Sequence, residues 1–291
     1  MKKLGKKISR IGLVANVEKA LCRALVREAA AVIQAASRQA ICEQATAQLA
    51  KLSGPTCPDV ASLTRAVDLL MVFGGDGTML RIAREAAGSP TPILGINAGS
   101  LGFLTDVPAD RLPVALKQIW AGEAILETRP LIEVSGQAQG RRISAVALND
   151  FVVSRGAAPR LIELEVSVDE EVLTRYRCDG LIVCSPTGST AYSLAAGGAV
   201  VNPSAEVFTI TPICPHTLSN RSVVVNLHST VKVKVLGKNA DVILTADGQT
   251  MMPLAIGDVV AIQKSRHAIR LLHLAGSSFF ETLRRKLNWG L

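Results

Sequence analysis

Gly74-Gly75-Asp76-Gly77-Thr78 stands directly behind an apolar run, Val67 to Phe73. In open α/β sheets, ligands bind just beyond the carboxyl ends of strands. Glycines there let backbone N–H groups approach an anion closely, and the N-terminus of a following helix favours negative charge. Gly74, Gly75 and Thr78 therefore form a candidate phosphate loop. A carboxylate at its centre repels phosphate. It makes chemical sense if Asp76 accepts a proton from a substrate hydroxyl as that oxygen attacks phosphorus. The alternative for Gly-Asp-Gly is a tight turn closed by an Asx hydrogen bond. The chain has neither G-x-x-x-x-G-K-[ST] nor G-x-G-x-x-G, so it offers no P-loop and no standard dinucleotide fingerprint.

Three more clusters carry polar groups in apolar surroundings. Asn97 to Asp106 (NAGSLGFLTD) follows another strand-like run, and Phe103 in it is a candidate wall for a flat ligand or an ordinary core ring. Asn149-Asp150 interrupts the β-like run AVALNDFVVS. A carboxylate beside an amide can grip a ribose diol, whose two hydroxyls offer donors and acceptors; a bulge or a strand end is the alternative. Arg177-Cys178-Asp179-Gly180 leads into Ser185-Pro186-Thr187-Gly188-Ser189-Thr190-Ala191-Tyr192. Hydroxyls and free N–H groups converge there at the start of a short helix, as a nucleotide site or as a plain N-cap.

The elements that must position these groups follow two grammars. Ile11–Ala15 reads as a buried strand. Glu18–Ala36 reads as a helix with Leu21, Leu25, Ala29, Val32 and Ile33 on one face. Residues 52–60 read as a loop, 67–73 as a strand, 78–87 as a helix, 92–96 as a strand and 109–120 as a helix closed by Gly122. Such alternation implies a mostly parallel, Rossmann-like sheet with covering helices. From about residue 123, period-two alternation takes over. Ile162, Leu164, Val166 and Val168 alternate with polar residues, and so do Val231, Val233 and Val235. That pattern predicts an antiparallel β-sandwich. A helical insert, 190–196, ends at Gly197-Gly198, and 279–287 reads as a basic amphipathic helix. The expected division is an α/β domain of residues 1–122 and 271–291 and a β-rich domain of residues 123–270.

Composition limits the function classes. The 291 residues suit two domains, and 48% hydrophobic with 19% charged residues is globular. With 6 Phe, 2 Tyr and 2 Trp, rings are too few for a base-stacking platform. The net charge of +8 invites an acidic partner, but Lys2, Lys3, Lys6, Lys7 and Arg10 crowd the first ten residues. Arg284, Arg285 and Lys286 against Glu281 give most of the rest, so a nucleic-acid surface is not indicated. The six cysteines form no C-x-x-C pair, and the four histidines (His216, His228, His267, His273) show no ligand spacing, so no protein metal site is expected. No signal peptide and no apolar run of membrane-spanning length is seen, and a cytoplasmic protein with no membrane partner is expected.

Asp68–Leu80, Gly95–Asp106, Leu148–Val153, Asp179–Gly198 and Pro212–Arg221, taken together and in this order, resemble the NAD kinase family. The glycine motif alone is shared with lipid kinases; the Asp179–Gly198 block is far more specific. A lipid kinase would need a lipid groove, and a silent nucleotide-binding protein would not need Asp76. The resemblance implies transfer of the γ-phosphate of ATP to the 2′-hydroxyl of the adenosine ribose of NAD. It implies Asp76 as proton acceptor with Gly77 beside it, and Asn149 and Asp150 as the ribose-binding pair, where many members have Glu at the second place. Asp179 and Thr190, Ala191, Tyr192, Ser193, Leu194 and Ala195 fall on adenosine and nicotinamide contacts, with Tyr192 as a stacking ring. Arg160 and Gln249 fall on further substrate contacts, and Arg177 on a position linked to selectivity for NAD over NADH. Ser222 stands where the family often has Pro. The family further implies Mg²⁺ held mostly by the nucleotide, polyphosphate as a donor in some members, a site in the cleft between domains, and a homodimer or homotetramer.

Overall fold

The run Leu69–Gly74 is apolar on both faces and forms a strand buried at every position, as a central parallel strand must be. A computed structural model of the chain describes residues 2–3, 8–99, 102–158, 160–217, 221–237 and 241–290. Lys6, Lys7, Ser100, Leu101 and Leu218 to Asn220, all within stretches discussed above, lie outside the described residues. The chain divides into two compact units, residues 1–128 with 268–291 and residues 129–267.

In the first unit, Leu69–Gly74 lies between Arg10–Ala15 and Ile93–Asn97, all parallel. Gln39–Glu43 and Thr56–Cys57 extend one side, and Leu271 of the returning chain pairs in parallel with Ile93 on the other. Ala15 pairs with Phe73 and Gly74 with Asn97, so the carboxyl ends of three strands finish level. The loops that follow them share one edge of the sheet. Helices Ala20–Ala35 and Leu112–Trp120 pack with the strand residues Leu13, Met71 and Leu94 in one core.

Several sequence expectations are corrected here. The first helix buries Cys22, Leu25, Val26, Ala29, Ala30 and Ile33, while Leu21 is exposed and Val32 only partly covered. Alanine and cysteine are small enough to bring the helix close to the sheet, so the stripe is centred one position later than the leucines suggested. The expected loop 52–60 contains the strand Thr56–Cys57, and the strand Gln39–Glu43 and helices Gln44–Ala50 and Val60–Ala66 carry too few apolar residues for a periodic signal. The fourth helix starts at Asp76 and not at Thr78, with Gly75 as its N-cap. The helix at 109–120 opens with a 3₁₀ turn, Ala109–Arg111, before Leu112. The insert at 190–196 is a 3₁₀ turn, Thr187–Thr190, followed by the short helix Tyr192–Ala195.

The second unit is a sandwich. Its six-stranded antiparallel sheet runs Val223–Asn226, Val207–Ile213, Gly180–Cys184, Asp150–Arg155, Val242–Ala246, Thr250–Leu254. The facing strands include Glu171–Cys178, Ile162–Val168 and Val231–Leu236. Phe151, Leu181, Phe208 and Leu244 of one sheet share a core with Leu164, Val166, Val233 and Val260 of the other. Lys232 and Lys234 point away from it, as the alternation predicts. The C-terminal helix Phe279–Leu287 belongs to the first unit, burying Leu283 and exposing Arg284, Arg285 and Lys286.

Candidate active site

Asp76 is the first residue of the helix Asp76–Glu85, so it stands where the strand Leu69–Gly74 gives way to the first turn of that helix. Its carboxylate is held from the neighbouring loop. The backbone N–H of Phe103 donates to Oδ2 at 2.8 Å and that of Leu104 to Oδ1 at 3.1 Å. This approach requires glycine at 102, because a Cβ there would fall 2.0 Å from Asp76 Oδ1. Gly74 is required in the same way, since its Cβ would fall 2.4 Å from Thr78 Oγ1. Thr78 is buried and Gly77 is exposed. One N–H on each carboxylate oxygen leaves lone pairs free, so Asp76 is fixed in direction yet able to accept a proton. Phe103 turns its ring to Phe279 of the C-terminal helix, with centroids 6.4 Å apart, and Lys286 Nζ lies 5.8 Å from the ring centroid.

In the second unit, Asn149 is buried and Asp150 opens the strand Asp150–Arg155. The turn between Val242–Ala246 and Thr250–Leu254 bends sharply at Asp247 (φ +50°) and Gly248 (φ +64°). That bend sends the Asp247 carboxylate back under the Asn-Asp pair. It accepts three backbone N–H groups, from Leu148 at 3.0 Å, Asn149 at 2.8 Å and Asp150 at 3.2 Å. Burial first, and the Asp247 charge second, push the Asp150 carboxyl up to about 7. Near neutrality Asp150 can therefore donate as well as accept. Asn149 Oδ1 is buried and makes no hydrogen bond among the described residues.

The segment 185–195 packs against this pair. Ser185 N–H donates to Asn149 O at 2.8 Å and its hydroxyl to Leu148 O at 2.6 Å. A Cβ on Gly188 would fall 2.3 Å from Asn149 O, so only glycine fits. Thr190, Ala191 and Leu194 are half-buried, Ala195 is exposed, and the Tyr192 ring is 48% exposed. Ser193 is buried and bonds Thr211 Oγ1 at 2.9 Å. Asp179 pairs with Arg155 Nε at 2.8 Å, and Arg177 with Glu163 at 3.3 Å from the adjoining strand. Arg160 and Gln249 are exposed.

Sequence reasoning overlooked Asp247 and Arg129. Asp247 stands two residues before Gln249, and the Asp247-Gly248 turn dipeptide was the available signal. Arg129 is buried and donates to Thr187 Oγ1 at 3.2 Å, and no motif marks it. His273 lies between Asp106 on Nδ1 and Glu127, whose Oε2 is 2.8 Å from Nε2 as an ion pair without hydrogen-bond alignment. All six cysteines are free. Among the described residues no group of three or more His, Cys, Asp or Glu side chains is placed to hold a metal ion, and no helix is long and apolar enough to cross a membrane.

Family models place both units. The ATP-NAD kinase N-terminal domain matches residues 11–124, and the ATP-NAD kinase C-terminal domain matches residues 148–274. The NAD kinase of Geobacter sulfurreducens is 40% identical over 285 residues, covering 97% of this chain and 99% of that protein. That of Moorella thermoacetica is 41% identical over 283 residues, covering 97% and 90%. Among solved structures, the NAD kinase of Archaeoglobus fulgidus in complex with ATP superposes with a TM-score of 0.76 at 26% identity, covering 96% of this chain and 98% of that one. Yeast NADH kinase complexed with NADH shares the fold at a TM-score of 0.88 and 24% identity, covering 98% and 89%. With both domain models matched and relatives aligned nearly end to end, the chain belongs to the ATP-NAD kinase family.

Proposed function

We propose that the chain transfers the γ-phosphoryl group of ATP to the 2′-hydroxyl of the adenosine ribose of NAD, yielding NADP and ADP. Asp76 accepts the 2′-hydroxyl proton while that oxygen bonds to the γ-phosphorus. The bond from that phosphorus to the β,γ-bridging oxygen breaks, and ADP leaves. The observation that carries this reading is the anchoring of Asp76 among glycines, with a backbone N–H on each carboxylate oxygen. Gly74, Gly75 and Gly77 open the backbone to the phosphates, and Thr78 closes the first turn behind them.

Asn149 and Asp150 hold the ribose diol in this reading. The diol supplies a donor for the unpaired Asn149 Oδ1, and Asp150 near its titration point serves either sense of hydrogen bond. Asp179 and Thr190 to Ala195 take the adenosine and nicotinamide ends, with the exposed Tyr192 ring as a stacking face. Arg160 and Gln249 supply further contacts, and Phe103 a wall. Phosphoryl transfer is assigned to residues 1–122 and 271–291, and dinucleotide binding to residues 123–270.

No protein cage for a cation is found among the described residues, so the divalent metal, Mg²⁺, is read as part of the substrate, carried on the ATP phosphates. Bound there, it neutralises charge on the transferring group. The protein is read as a cytoplasmic homo-oligomer, a dimer or tetramer, without nucleic-acid or membrane partners. Arg177, on the family's pattern, selects NAD over NADH.

The test is direct. Purified protein is incubated with ATP, Mg²⁺ and either NAD or NADH, and the product is read with an NADP-specific dehydrogenase after oxidation of any NADPH. The expected result is NADP from NAD and far less from NADH. Absence of NADP overturns the kinase reading, and equal turnover of both overturns the role of Arg177.

A further inference from the structure

A glycine loop with a carboxylate at its centre is a poor seat for a triphosphate unless a cation offsets the charge. The residues Gly74 to Thr78 contain no lysine or arginine. A cation arrives from the turn after the first strand. Asn16 to Lys19 leaves the carboxyl end of Arg10–Ala15, whose last residue pairs with Phe73. Asn16 N–H donates to Phe73 O at 2.9 Å, and Asn16 Nδ2 reaches Thr78 Oγ1 at 3.5 Å. This turn is thereby fastened to both ends of the glycine loop.

Lys19 completes the arrangement. Its Nζ lies 3.6 Å from the point a Cβ on Gly75 would occupy, and 3.3 Å from the corresponding point on Gly99. The ammonium therefore sits over two glycines, one on each side of the edge where the strands end. Lys19 is half-buried, and none of the ion pairs among the described residues includes it. It is also the N-cap of the helix Ala20–Ala35 and makes no side-chain capping bond. A cation at a helix N-terminus faces the positive end of the dipole, an unfavourable position when no anion is near. Gly75 opens a second helix N-terminus beside it. Two helix ends and one ammonium meet at Gly75 and Gly99, a setting that favours an anion.

We propose that Lys19 is a substrate-binding residue of the phosphoryl donor site, its ammonium bound to β- and γ-phosphate oxygens of ATP over Gly75 and Gly99. It draws the phosphates to the bare backbone of these glycines and offsets the Asp76 charge. It also meets the charge that gathers on the transferred group. The inference rests on the kinase reading for its chemistry and on the Lys19 geometry for its location.

The experiment compares wild type, Lys19→Met and Lys19→Arg in two measurements. Steady-state kinetics vary ATP and NAD separately. Calorimetry titrates the magnesium complex of adenylyl imidodiphosphate, a non-transferring ATP analogue, into each protein. Lys19→Met is expected to raise KM for ATP about tenfold or more and to lower kcat by about 10²-fold, the scale of one lost charge-stabilising donor. KM for NAD and the melting temperature stay unchanged. Lys19→Arg, which keeps the charge, recovers most of the loss. Wild-type ATP kinetics in Lys19→Met overturn the proposal, as does an equal rise in KM for NAD. If wild type makes no NADP, the kinase reading fails, and calorimetry still decides the lysine. Weaker analogue binding by Lys19→Met supports an anion seat at Lys19, and equal binding overturns it.

Discussion

Asp76 in the α/β unit and Asp150 in the β unit are the same side chain placed in different hydrogen-bonding surroundings. Each is the first residue of its element. Asp76 is half-exposed and receives the backbone N–H groups of Phe103 and Leu104 on its own oxygens. At Asp150 the backbone donors go elsewhere, because Asp247 collects those of Leu148, Asn149 and Asp150 itself. Asp150 is left buried beside that anion and is pushed up to about 7. One residue type thus meets two surroundings, and what separates them is where the backbone N–H groups go. Two backbone donors fix the direction of the Asp76 carboxylate, and Asp150 is left able to donate as well as accept near neutrality.

Loss of the Asp76 carboxylate should cost most. Asp76→Asn keeps the shape and loses the acceptor. We expect kcat to fall by about 10³-fold or more, within the range of lost general-base catalysis, while calorimetry still records NAD binding. An Asp76→Asn enzyme with near wild-type kcat would remove the proton-accepting role and with it the contrast between the two sites.

Asp150→Asn attacks the other side, and its sign is opposite for stability. Burial and the Asp247 charge push the Asp150 carboxyl up to about 7 in the folded chain, from about 4 for an ordinary aspartate. A raised carboxyl favours the folded state only below the unfolded value, and that contribution is lost as pH climbs from about 4 to 7. Wild type therefore carries a penalty at pH 8 that asparagine does not. We expect Asp150→Asn to gain on the order of 2–4 kcal/mol relative to wild type at pH 8, and little at pH 4. Melting temperatures at both pH values check this, and activity should fall as stability rises. A loss of stability at pH 8 would mean that Asp150 is ionised and well paired.

How much of this contrast a reader could take from the sequence depends on the range of the interaction. The glycine loop, the Asn149-Asp150 break and the change from helical to alternating pattern are local, so they stand out in short windows. The donors that give each carboxylate its role are not local. Phe103 and Leu104 are 27 and 28 residues from Asp76, and Asp247 is 98 residues from Asn149. Their meeting is decided by strand order, which no local pattern records: Asp150–Arg155 pairs with Val242–Ala246 across the whole intervening sandwich. The helix Ala20–Ala35 makes a smaller version of the same point. Period alone favoured a stripe through Leu21, whereas the small Cys22, Ala29 and Ala30 set how close the helix lies to its sheet.

Gly102→Ala disturbs the Asp76 carboxylate without removing any polar group. The new Cβ would stand 2.0 Å from Asp76 Oδ1 and 2.7 Å from Thr105 Oγ1, so the carboxylate must leave its two N–H donors. Displacement of a reacting group by about 1 Å costs up to about 10²-fold in rate. We expect kcat to fall by about 10- to 100-fold, with NAD affinity at the second-unit residues unchanged. A kcat within twofold of wild type would show that Asp76 needs no such anchoring.

The smallest effect concerns what holds the anchoring loop. Asp106, two residues beyond Leu104, binds His273, and Glu127 flanks the other ring nitrogen. Ser277 also donates to Asp106 at 3.1 Å. Burial alone would lower the imidazole, but the two carboxylates outweigh it and raise it to about 9. A histidine raised on folding stabilises fully below its unfolded value of about 6.5, and the benefit is lost as pH rises through about 9. Wild-type stability should therefore decline between pH 7 and 9.5 by on the order of 1–3 kcal/mol from this group. In His273→Gln that decline should flatten, because glutamine carries no proton to lose. Burial, with like charge second, makes rising pH harmful at Asp150 from about 4 to 7, whereas the two carboxylates around His273 outweigh burial and move the harmful range to about 6.5 to 9. An unchanged pH slope in His273→Gln would mean that the imidazolium does not carry the loop.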